Sequence, residues 1–91
     1  MEFEWDDAKS EHNLRHRKFG FDYAALVFAG PTIDTPDQRH AYGEPRILTI
    51  GAVGNDILAV VYTDRDDIRR IISARKANRK ERRQWQSFVN P

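Results

Sequence analysis

The stretch RILTIGAVGNDILAVVYTDRDDIRRIIS, residues 46–73, decides the fold. Arg46 to Val53 alternates Arg, Leu, Ile and Ala with Ile, Thr, Gly and Val, the period-two pattern of a strand with two different faces. Gly54-Asn55-Asp56 is a tight hairpin connection. Ile57 to Thr63 is almost wholly apolar and β-branched, as a strand covered on both faces would be, so it reads as the central strand. Asp64 to Asp67 makes the next turn, and Ile68 to Ser73 reads as the third strand of an antiparallel meander.

Working back from this hairpin, residues 32–44 are polar and rich in Pro, Asp and Gly, which predicts a loop with a short edge strand. Before it, Phe21-Asp22-Tyr23-Ala24-Ala25-Leu26 reads as a helix capped by Asp22, with Phe21 and Leu26 placed as a hydrophobic staple and Gly30-Pro31 as its end. A first helix runs from an Asp6 cap to about Arg17, with Gly20 beyond it, and Phe3-Glu4-Trp5 is a short alternating strand. Working forward, Ser73 is placed to cap a last helix. On that helix Ala77, Trp85 and Phe88 share an apolar stripe, and Arg75, Arg79, Arg82 and Arg83 crowd another sector. The expectation is a small α+β domain over residues 1–91, its helices packed on one face of the sheet and the other face left available.

Ninety-one residues with 40% hydrophobic and 32% charged side chains suit one folded domain with a single core. The absence of cysteine excludes disulfides, thiolate metal sites and a cysteine nucleophile. The opening MEFEWDDAK lacks the basic start and apolar run of a secretion signal, and no segment is apolar enough for a membrane span, so a cytoplasmic protein is expected. The formal net charge is only +1, yet residues 65–83 hold nine Lys and Arg against three acids. An excess of six positive charges on one short segment, with five negative charges in excess elsewhere, points to a polyanionic partner.

Cleaving RNA without a metal requires a base near the 2′-hydroxyl, an acid near the leaving 5′-oxygen and cations around the phosphate. Arg65 at the end of the central strand, with Arg75 and Arg79 one helical turn apart, could converge on such a phosphate. Glu44, where a loop enters a strand, is a candidate base, with an ion pair to Arg46 or Arg70 as its commoner fate. His12 and His16 have the i, i+4 spacing of zinc ligands, with Glu44 a conceivable third, but no HExxH pattern accompanies them and no metal is expected. His16 is a candidate proton-transfer group, while His40 carries no signal. Trp5 and Phe88 are expected in the core, leaving Trp85 open to stack on a base. No Gly-rich phosphate loop, nucleophile elbow or dinucleotide fingerprint occurs, so no cofactor is expected.

The strings FEWDDAK with Asn13, FDYA at 21–24, GEPR at 43–46 and VVYTDRDDIRRIISARKANRKERR at 60–83 resemble the BrnT family nearly from end to end. That resemblance implies a type II toxin with a RelE/ParE-like fold, an endoribonuclease that halts translation and is neutralised by a BrnA-like antitoxin. It further implies a toxin–antitoxin hetero-oligomer that binds its own promoter DNA, and it allows a homodimer. Glu44, Arg65 and the group Arg75, Arg79 and Lys80 match the family's functional motifs. The chain departs from the family at the end of the first helix, where Lys-His-Gly becomes His16-Arg17-Lys18, and at Trp85, where a tyrosine is usual. The assignment that follows makes His16, Glu44, Arg65 and Arg75 catalytic, with Arg17, Arg79, Lys80, Arg83 and Trp85 holding RNA.

Two other readings stay open. One is a binding toxin without catalysis, either a corepressor or a protein of the ParE type that grips a topoisomerase. The other is a basic-faced scaffold, whose expression leaves a host unharmed.

Overall fold

The computed structural model describes residues 1–37 and 43–91; the reading of His40 as a silent loop residue lies outside them. The hairpin forms where the residue pattern places it. Strands β3 (Ile47–Val53) and β4 (Asp56–Arg65) pair in antiparallel register from Val53 opposite Asp56 to Ile47 opposite Tyr62. Gly54 turns the chain at φ +58°, a conformation that glycine adopts without penalty.

Around this hairpin are β1 (Glu2–Glu4), β2 (Thr32–Pro36) and β5 (Ile68–Lys76), giving one sheet in the order β1-β5-β4-β3-β2. The apolar β4 is central, as expected, and β2 is the expected edge strand. Strands β2 to β5 form the antiparallel meander, while β1 joins β5 in parallel and makes the sheet mixed. Strand β5 is three residues longer than the sequence reading placed it. Val61 faces Ser73 and Tyr62 faces Ile71, so Ile72 is an extra residue that bends β5.

Leu58 and Val60 point to one face, where with Ile71 and Ala74 they meet Phe19, Phe21, Ala24 and Val27. The last four come from α2 (Phe21–Ala24), the 3-10 helix that continues it to Ala29, and the loop before them. Full burial of side chains such as Leu58, Ile71 and Val27 contributes about 1.5–3 kcal/mol each. Gly51 lets this layer close on the sheet: a Cβ there would stand 2.9 Å from Val27 Cβ.

Helix α1 (Asp7–Arg17) is capped by Asp6, which accepts the Lys9 N–H at 3.1 Å, and ends at Lys18 in the left-handed region. Its apolar content is slight, so polar bonds fix it instead. Buried Asn13 donates to the Phe19 carbonyl at 3.0 Å, and Ser10 Oγ accepts the Phe21 N–H at 2.8 Å.

Three sequence expectations are corrected here. Gly20, not Asp22, precedes the second helix, and Leu26 is exposed, so the staple does not form. Ser73 lies in β5; α3 (Arg79–Val89) is capped by Asn78 in a reciprocal box with Glu81. Finally, α3 does not join the other helices. It packs on β3 and β4 from the opposite face, with Trp85 and Ala77 buried on the side of Ile50, Ala59 and Val61, so neither face of the sheet is wholly open.

Candidate functional site

Beyond α3, the face it covers becomes a cleft of about 260 Å³ where β4 ends and β5 begins. Thr63, Arg65 and Arg70 supply its floor, because Arg70 lies opposite Thr63 and side chains two apart on a strand share a face. Glu44 and Arg46 enter from the segment before β3, and Lys9 comes from the first turn of α1. Thr63 Oγ1 donates to the Pro45 carbonyl at 2.7 Å, which fixes the Glu44 segment over the end of β4.

Arg65 grips Glu44 with both arms of its guanidinium: Nε donates to Oε2 at 2.6 Å and Nη2 donates to Oε1. This hydrogen bonding, helped by the nearby charges of Arg65, Arg46 and Arg70, holds the Glu44 carboxyl below its ordinary pKa. Arg65 is correspondingly raised above an already high value. Glu44 is therefore ionised at neutral pH, as a proton acceptor must be. Its partner is Arg65 rather than the expected Arg46 or Arg70; Arg70 instead approaches Glu4 at 3.4 Å. A carboxylate held by a bidentate guanidinium stands where a phosphodiester could bind, since both anions present two oxygens to the same fork.

Arg75 does not take part. It lies on β5 opposite Ala59, six residues along β4 from Arg65, or about 20 Å at roughly 3.3 Å per residue. The convergence of Arg65 with Arg75 and Arg79 fails because residues 74–76 continue the strand, so the presumed helical turn between Arg75 and Arg79 does not exist. Arg75 Nη1 and Nη2 donate to Glu81 Oε1 and Oε2 at 2.7 and 3.0 Å.

The remaining candidates fall into two groups. His16 and Arg17 lie in the last turn of α1, whereas Asp6 and Lys9 at its start line the Glu44 cleft. The His16 ring stacks on His12 at 3.9 Å and its Nδ1 bonds the His12 carbonyl at 2.9 Å. Among the described residues no group of three metal-ligating side chains forms, and Glu44 is bound to Arg65 rather than to the two histidines. Lys80 and Arg83 border a separate shallow groove with Phe88 and Ile33, on the α3 side of the sheet. Trp85 is 6% exposed and cannot stack on a base, while Phe88, expected in the core, is 47% exposed.

Sequence reasoning missed Lys9, and it named Arg46 and Arg70 only as ion-pair partners of Glu44, not as residues of the cleft. For Arg70 the signal lies in strand register, since it falls opposite Thr63 once β4 and β5 are paired. Lys9 carries no local signal, because only the packing of α1 brings it there.

The family model described as the ribonuclease toxin BrnT of type II toxin-antitoxin systems matches residues 5–81. No curated protein matches the chain. The matched span contains every residue of the Glu44 and Arg65 cleft.

Proposed function

This chain belongs to the BrnT family, the ribonuclease toxins of type II toxin–antitoxin systems, and from that premise we propose that it cuts RNA, without a metal, in the cleft where Arg65 holds Glu44. The bidentate contact between these two side chains, with Arg46 and Arg70 close enough to act on Glu44, carries the proposal. A scissile phosphate competes with Glu44 for the Arg65 fork. Its arrival frees the carboxylate to take the proton of the 2′-hydroxyl, whose oxygen attacks phosphorus as the bond to the 5′-oxygen breaks. Arg46, Arg65 and Arg70 stabilise the added negative charge. Arginines do not give up protons, so Lys9 is the cation of the cleft that can protonate the leaving 5′-oxygen. The products are a 2′,3′-cyclic phosphate and a 5′-hydroxyl.

His16, Arg75 and Trp85 have no direct part in this step, and Arg17, Arg79, Lys80 and Arg83 act at most on RNA beyond the scissile bond. A type II system pairs its toxin with an antitoxin. We assign that role to a BrnA-like protein, in a hetero-oligomer that also binds the promoter DNA; a homodimer of the toxin is compatible with this scheme.

Glu44 occupying Arg65 also favours a second reading, a toxin that binds without cutting, because an occupied guanidinium is a poor phosphate site. Purified protein incubated with RNA in EDTA, with the new termini mapped, separates the two. Discrete cuts ending in cyclic phosphate and 5′-hydroxyl support the nuclease. Intact RNA overturns it in favour of the binding toxin.

A further inference from the structure

We infer that the open edge of β5 carries a second phosphate site, centred on Arg17 and bordered by Arg75, which holds the RNA strand beside the scissile bond, with Lys9 at the junction of the two clefts. The inference rests on the ribonuclease reading above and extends it to the length of the substrate. Strand β1 pairs with β5 only from Ile68 to Arg70, so beyond Ile72 the outer edge of β5 has α1 alongside instead of a strand. Lys9, Asn13 and Arg17 repeat every four residues and His12 falls between them, so one face of α1 is turned to this edge.

Between helix and strand lies a cleft of about 330 Å³, closed at the strand side by Ser73, Ala74 and Arg75. Three cations line it and no carboxylate does. Glu81 offsets part of the Arg75 charge and fixes its guanidinium by two hydrogen bonds. Lys9 and Arg17 have no ion-pair partner among the described residues. With Glu81 answering Arg75, the charge that this concave site leaves to be offset is that of Lys9 at its mouth and of Arg17, and an anion entering beside Arg17 offsets it.

Two residues identify the anion as part of the same RNA. Lys9 and Ile72 line both this cleft and the one holding Glu44 and Arg65, so the two run into each other along β5. From Arg70 to Arg75 the track measures about 16 Å at roughly 3.3 Å per residue. That exceeds the reach of one nucleotide, so a dinucleotide in the Glu44 cleft leaves the second site empty and a longer strand fills it.

Oligonucleotides of 2′-O-methyl RNA, which lack the attacking hydroxyl, isolate binding from cleavage. Affinities of a dinucleotide and a hexanucleotide are measured over a salt series for the wild type, Arg17→Ala, Arg17→Lys and Ser73→Glu. Arg17 and Ser73 are exposed, and circular dichroism checks that each variant is folded. The wild type binds the hexamer at least about tenfold more tightly than the dimer, the worth of one charge-assisted contact. Arg17→Ala reduces the hexamer towards the affinity of the dimer and lowers the salt slope by about 0.7. Ser73→Glu does the same by placing a carboxylate in the cleft, and Arg17→Lys keeps most of the gain. A length gain that survives in both Arg17→Ala and Ser73→Glu overturns the second site, as does a wild type with no length gain. A wild type that neither binds nor cuts any RNA overturns the ribonuclease reading itself, and this site with it.

Discussion

Glu81 joins two elements at once: it accepts the Asn78 backbone N–H at 2.9 Å as part of the α3 cap and both Nη groups of Arg75 on β5. Glu81 is 7% exposed, and its bonds tie the start of α3 to β5. Glu81→Ala takes away a cap acceptor and leaves Arg75 without this partner. The expected loss is about 2 kcal/mol, below the figure for a fully buried pair because Arg75 is a third exposed. Glu81→Gln keeps the cap acceptor and is expected to lose about half as much. Urea denaturation of the three proteins measures both.

On the other face, Tyr23 donates its hydroxyl to Asp56 Oδ2 at 2.6 Å, and Lys76 donates to Oδ1 at 2.7 Å. This cluster ties the second helix to the hairpin end of the sheet. The bond to Asp56 raises the Tyr23 pKa, because the neutral hydroxyl is the donor. Tyr23→Phe is expected to cost about 1 kcal/mol in the same denaturation measurement, the net worth of one hydrogen bond.

Trp85 and Phe88 are in ring contact at 5.5 Å but have opposite fates. Trp85→Ala opens a hole under α3 and is expected to cost about 3–5 kcal/mol. Phe88→Ala removes an exposed ring and is expected to cost under about 1 kcal/mol. If the Phe88 variant is the more destabilised, the packing of α3 described above is wrong.

These two rings also mark where the sequence was legible and where it was not. The hairpin from Arg46 to Thr63 was readable because alternation, turn and apolar run all agree. The last helix was misplaced because Ser73 and Asn78 are both good caps, and Ala74-Arg75-Lys76 is as fit for a helix as for a strand. The deciding signal was present: Asn78 is followed three residues later by Glu81, the spacing of a reciprocal cap, whereas Ser73 is followed by Lys76. Moving the helix start from Ser73 to Asn78 carries Arg75 onto β5 and dissolves the expected cluster with Arg65. The pairing of Glu44 with Arg65 could not be read locally, since it depends on how the loop before β3 crosses the end of β4.

Acid should weaken the fold in a defined window. Asp64, held by Arg69, Asp56, held by Lys76 and Tyr23, and Glu44, held by Arg65, all lie below their ordinary values. A lowered carboxyl contributes stability that is complete above its unfolded pKa, near about 4, and is lost as pH falls through the folded value. The urea midpoint is therefore expected to stay level from neutrality to about pH 5 and to drop below about pH 4. Lys76→Met removes the main cause of the Asp56 shift, so its midpoint should fall by less over that acid range.

The proposal depends most on Arg65 meeting the scissile phosphate. Single-turnover cleavage of an RNA oligonucleotide at saturating protein, in EDTA, compares wild type with Arg65→Ala. A rate lowered by about 100-fold or more in a variant with an unchanged circular dichroism spectrum is the predicted result, the usual cost of removing one donor to a developing oxyanion. A folded Arg65→Ala protein that cuts within a few-fold of wild type contradicts the account.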